Sequence, residues 1–171
     1  MNKSMAEFLA GRKKQESATE HGTEIHRRLQ FIFIDGENVH GDADLIEKIR
    51  KNPEIAKFFD KDSRAEVPIA GFIDSKFYSK RIDRLVVFPQ KILFLDYKTD
   101  ISRARRDDYI KTMKIYARLL QGAYPGRDIS GYILWLHDWE LELIPLPGRG
   151  GNREAIDGVG YKEKITNEKE L

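Results

Sequence analysis

The sequence predicts an α/β (α+β) fold in which a mixed central β-sheet is flanked by helices. Three observations carry that expectation. Runs rich in Val, Ile, Leu and Phe fill residues 65–95 and return over 129–144, as buried strands do. One strongly amphipathic segment, 107–121, separates them, and shorter helical patterns precede them all. Meandering strands, one long helix and then more strands suit a sheet with that helix on one face.

Residues 1–20 are polar and charged apart from Phe8-Leu9, which predicts a flexible N-terminal arm. From Thr23, a plausible N-cap, the apolar residues Ile25, Leu29, Ile32 and Phe33 recur along one helical face, and His26 borders it. A polar loop with Gly36 and Gly41 follows. Residues 43–51 and 53–59 then read as two short amphipathic helices, the second with Pro53 in its first turn. Ala65 to Ile73 reads as a strand with Glu66 near its start. Leu85–Phe88 and Ile92–Leu95, parted by Pro89-Gln90, read as an antiparallel pair. In the long helix Tyr109, Met113, Tyr116 and Leu120 share one face. Gly122 to Gly126 ends it, and strands at 129–136 and 139–144 close the ordered part. The glycine-rich, charged stretch 148–171 has little to bury and predicts a disordered tail, leaving one domain over 21–147.

The chain's 171 residues suit a single core. With 40% hydrophobic and 34% charged residues, and no apolar run of spanning length, a membrane protein is not expected. The opening residues lack the apolar core of a secretory signal, so a cytoplasmic location is expected. There is no cysteine, which excludes thiolate metal sites and cysteine nucleophiles and leaves oxygen and imidazole as metal donors. The net charge of +2 conceals basic clusters at 76–84 and 103–106, on both sides of the strand pair, and such clusters attract phosphate.

The strand pair is where chemistry is expected. Asp83 opens its first strand and Asp96 closes its second, so the two carboxylates meet at one end. Lys98 lies two residues beyond Asp96 and therefore on the same face of a strand. Taken singly, these are ordinary strand-end charges. Their order makes them a candidate site.

That order, Asp83 followed by Asp96-Tyr97-Lys98, resembles the PD-(D/E)XK nuclease superfamily. The surrounding text is similar to its RecB/AddA-type branch, the C-terminal nuclease domain of helicase-nucleases that process double-strand breaks. Gly22-Thr23-Glu24-Ile25-His26 matches a Gly-Thr-x-x-His helix, Glu66-Val67-Pro68 matches a Glu-x-Pro element, and Tyr109, Thr112, Met113 and Tyr116 align with a Tyr-x-x-Gln-Met-x-x-Tyr pattern. The match runs from Gly22 to Ile144. It departs at Thr112, where the family usually carries glutamine. A second Ile-Asp, at Asp74, competes with Asp83, which is preferred because its strand pairs directly with that of Asp96.

The resemblance implies a restriction-endonuclease-like core and a Mg²⁺-dependent deoxyribonuclease, an exonuclease of double-strand-break repair or recombination, with Mn²⁺ also accepted. It implies Asp83, Asp96 and Lys98 as catalytic residues; His26, Asp83, Asp96 and the Tyr97 carbonyl as metal ligands; and Glu66 and Tyr116 as supporting residues. Arg103, Arg105 and Arg106, with Tyr116, are expected to hold the DNA backbone. No Gly-x-x-x-x-Gly-Lys-Ser/Thr loop is present, so any motor is expected on a separate helicase subunit. The competing expectations are a non-catalytic DNA-binding or scaffolding module and a remnant of a larger helicase-nuclease.

Overall fold

The computed structural model describes residues 22–146, so the arm expected over 1–20 and the tail expected over 148–171 lie outside the described residues. A helix over 22–30 (α1) is followed by strands β1 (Phe33–Asp35) and β2 (Asn38–His40) and helices α2 (Ala43–Arg50) and α3 (Pro53–Ala56). Strands β3 (Ser63–Ile73), β4 (Lys76–Val87) and β5 (Lys91–Lys98) come next. Helix α4 (Arg106–Ala123) and strands β6 (Asp128–Trp135) and β7 (Glu140–Ile144) complete the chain. The expected helices and strands are present, but the helix expected over 53–59 is a single turn ending at Ala56, and two further changes fall near the start of the described chain.

The helix expected to run through Phe33 stops at Gln30, and the expected polar loop is a β-hairpin. Phe33 pairs with His40 and Asp35 with Asn38, leaving Gly36-Glu37 as a two-residue turn with Gly36 at φ 59°. Glycine takes that conformation without steric cost, which is how such turns close. Gly41, at φ 117°, then brings the chain back so close to Ile32 that a Cβ would meet its side chain at 2.8 Å.

The five-stranded sheet has the order β3-β4-β5-β6-β7. β3, β4 and β5 form an antiparallel meander. Helix α4 then carries the chain over to β6, parallel to β5, and β7 pairs antiparallel at the far edge. Strand alternation divides the core in two. Leu93, Leu95 and Tyr97 point toward α1, α2 and α3, where Leu29, Ile32, Ile49, Ile55, Phe58 and Phe59 are buried. Ile92 and Phe94 point the other way, to Met113, Tyr116, Ala117 and Leu120 of α4. Gly131 lies beside Phe94 in the parallel register, and a Cβ there would fall 2.5 Å from the ring.

Asp83 does not open β4, as the sequence had suggested, but lies in its interior, because β3 and β4 run on together as a two-stranded arm beyond β5. Its position is still an end: β4–β5 pairing begins at Arg84. At the same level the β3–β4 ladder skips one rung, Glu66 opposite Asp83, and Glu66 adopts φ 54°. The rungs change faces there. Leu85 and Ile82, three residues apart, both join the α4-side core. Between them Asp83 and Arg84, consecutive in sequence, both turn toward α1. No described helix is long and apolar enough to cross a membrane.

Candidate active site at the end of the β4–β5 ladder

Helix α1 is attached to the sheet by a residue that sequence reasoning missed. Arg84 is 3% exposed, and its Nη2 donates to the carbonyls of Leu29 at 2.5 Å and Ile32 at 2.8 Å, just past the last helical turn. Its Nε donates to the Tyr97 hydroxyl at 3.1 Å, and its guanidinium lies 4.5 Å from the Phe59 ring centre. A cation at a helix C-terminus is favoured by the unsatisfied carbonyls and the helix dipole. Gly22 closes the other end of α1 against the strand, with room for no more than a tight contact to Thr99. These two anchors set where His26 lies.

His26 Nδ1 is 3.7 Å from Asp83 Oδ2, and its ring meets Tyr97 edge-on at 5.3 Å. Burial, and then the Lys98 ammonium, lower the pKa of His26, so the imidazole is neutral at neutral pH. Asp83 Oδ2 accepts the Tyr97 main-chain N–H at 2.7 Å. Burial, and then the nearby Asp96 carboxylate, push the Asp83 pKa up to about 7. A lowered imidazole beside a raised carboxyl is not a stable ion pair, despite the short distance.

Asp96 and Lys98 share one face of β5, as their spacing predicts, and their charged groups are in direct contact. The Lys98 ammonium also lies 4.5 Å from the centre of the Tyr109 ring, on α4. The Tyr109 hydroxyl donates to Asp100, and burial with that bond raises its pKa to about 12. Tyr109 and Asp100 thus brace Lys98 from below. The motif resemblance points to Tyr109; Asp100 is added by the structure.

The supporting residues divide. Glu66 is half-buried and pairs with Arg81 at 2.8 Å, and its charge reaches both His26 and Asp83. Tyr116 is buried, and its hydroxyl donates to the Arg81 carbonyl at 3.1 Å, two residues before Asp83. It braces β4 from within the core and does not present itself to a DNA backbone. Thr112 is half-buried and donates to the Asp108 carbonyl of its own helix at 3.2 Å. Asp74 sits at the tip of the β3–β4 arm and pairs with Arg118, well along the arm from Asp96. Of the basic cluster, Arg103 pairs with Asp138 and Glu140 and lies over Trp135, while Arg106 pairs with Glu142. Those two guanidiniums are held by β7 and the turn before it. Arg105 remains exposed, with its guanidinium 5.5 Å from the Tyr109 ring.

Among the described residues no three His, Asp or Glu side chains already form a cluster spaced to hold an ion. The donor chemistry at the ladder end nevertheless fits a hard divalent cation: two carboxylates and one neutral imidazole. A buried carboxyl whose charged form is disfavoured by a neighbouring carboxylate is what such a cation relieves. No family model matches the chain, and no curated protein matches it.

Proposed function

We propose that the chain is a metal-dependent DNA nuclease of the RecB/AddA type, built on a restriction-endonuclease-like core and acting in the cytoplasm beside a separate helicase. The observation that carries the reading is the meeting, at one end of the β4–β5 ladder, of Asp83, His26, the Tyr97 main chain and the contacting Asp96–Lys98 pair.

In this reading Asp83, Asp96, His26 and the Tyr97 carbonyl would hold Mg²⁺ or Mn²⁺. When bound, the ion neutralises charge on the scissile phosphate and makes a water nucleophilic near neutral pH. The chain's own residues do the rest. Neutral His26 offers a lone pair, and its seat on α1 keeps it beside Asp83. Lys98, held by Asp96 and the Tyr109 face, is the cation that orients the attacking water and stabilises charge developing on the phosphate. Glu66 and Arg81 border the site on the arm side.

The test is degradation of linear single- and double-stranded DNA by the purified full chain with Mg²⁺, Mn²⁺ or EDTA. Wild type is expected to cut only with metal, and Lys98→Ala and Asp96→Ala to lose about 10²-fold or more. A wild-type protein that is inert with either metal yet binds DNA with a steep salt dependence overturns the catalytic reading in favour of a binding module.

A further inference from the structure

The β3–β4 arm leaves one face bare. Val67, Ile69 and Ile82 turn toward α4, and a Cβ on Gly71 would touch Leu119 at 3.2 Å. By strand alternation the opposite face carries three rungs, Phe72/Phe77, Ala70/Ser79 and Pro68/Arg81, and all six residues are exposed. The next rung toward the sheet is Glu66/Asp83, the border of the site. Phe72 is 74% exposed and Phe77 57%, large values for aromatic rings, and the two form a cross-strand pair with centroids 5.3 Å apart. Between them and the site lie only small side chains, and then Arg81.

The arm beyond the ladder carries three cations, Lys76, Lys80 and Arg81, against two acids, Asp74 and Glu66, a small positive excess. Asp74 is paired with Arg118 of α4 and Glu66 with Arg81, while Lys76 and Lys80 alternate onto the α4 side of the arm. An aromatic pair at one end and a shallow trough of small residues leading to the candidate site are the parts of a surface that stacks bases. From the phenylalanine rung to the carboxylate rung is six residues of strand, about 20 Å at ~3.4 Å per residue. That is the reach of a few nucleotides.

Resting on the nuclease reading above, we propose that the bare face of the β3–β4 arm is a single-strand platform: Phe72 and Phe77 stack an unpaired base, and the strand runs over Ala70/Ser79 and past Arg81 to Asp83. A duplex offers no unstacked base to the rings. The arm therefore selects single-stranded DNA or the frayed end of a duplex.

Binding is read without cleavage, by fluorescence anisotropy of a labelled oligodeoxythymidylate of about 12 nucleotides, inside the ~4–16-nucleotide range of single-strand sites, in EDTA. Wild type is expected to bind it more tightly than a duplex of equal length. Phe72→Ala/Phe77→Ala is expected to bind the single strand about tenfold more weakly or worse, with duplex binding unchanged. Phe72→Leu/Phe77→Leu, which keeps apolar area without π-faces, is expected to lose the same preference. Equal oligonucleotide binding by wild type and the alanine variant overturns the platform, as does a wild type that fails to bind. So does sedimentation showing a dimer that the alanine variant splits while oligonucleotide affinity holds, since the face is then an interface between copies. Metal-dependent cleavage is assayed separately, so loss of the nuclease reading leaves the platform result intact, and the reverse.

Discussion

Asp83 Oδ2 accepts the Tyr97 N–H at 2.7 Å, one step beyond the last β4–β5 rung, Arg84 with Leu95. A side-chain carboxylate thereby takes the place of a backbone acceptor at the point where two strands separate. The same atom faces His26. One oxygen therefore ends the ladder and opens the site.

That arrangement makes the metal-free protein sensitive to pH. The folded-state pKa of Asp83 is raised from 3.8 to about 7, so the native state holds this proton over a range where the unfolded chain has released it. The stabilisation is fully present below about pH 4 and is lost as pH rises through about 7. At ~1.4 kcal/mol per pH unit the total is on the order of 4 kcal/mol. His26 runs the other way: its pKa is lowered, so its contribution is present above its ordinary value of 6.5 and lost as pH falls below it. Asp83→Asn keeps an acceptor for Tyr97 and removes the charge. Urea unfolding in EDTA is expected to show it more stable than wild type near pH 8 by a few kcal/mol, with the difference closing toward pH 4. Cleavage is expected to be lost.

Arg84 joins α1 to the sheet through the carbonyls of Leu29 and Ile32. Arg84→Met leaves both buried acceptors without that donor and is expected to cost about 3 kcal/mol. Arg84→Lys retains charge but not the fork or the Phe59 stack, and should recover only part. Denaturant midpoints with unchanged slopes check this.

Gly131 has no room for a methyl group, since a Cβ there falls 2.5–3.0 Å from three atoms of the buried Phe94 ring. Gly131→Ala is expected to destabilise by about 1–3 kcal/mol. Gly131→Ala with Phe94→Leu should recover part of the loss, measured as the coupling in a double-mutant cycle of thermal unfolding.

Asp42 caps α2, with its Oδ1 accepting the Leu45 N–H at 3.0 Å, and its other oxygen contacts Arg28 of α1. Asp42→Ala removes the cap and the link between the two helices together. The expected cost is about 1–2 kcal/mol, and Asp42→Asn, which caps but is uncharged, should recover most of it. Hydrogen exchange at the first turn of α2 distinguishes fraying there from global loss.

The features legible in the chain before it folds are those written in local spacing. The helical period of α4, the alternation of β5 and the i, i+2 placement of Asp96 and Lys98 are readable because neighbours in sequence are bound to share or oppose faces. Whatever depends on partners far along the chain became visible only once the chain had folded. Arg84 reaches Leu29 across 55 positions, and Arg103 and Arg106 find Asp138, Glu140 and Glu142 across more than thirty. No periodicity announces such pairs. The face switch at Glu66 and Asp83 belongs to the same class: a non-glycine residue at φ 54° breaks the alternation that any strand pattern assumes. That break turns Asp83 and Arg84 the same way, one toward His26 and the other toward the end of its helix.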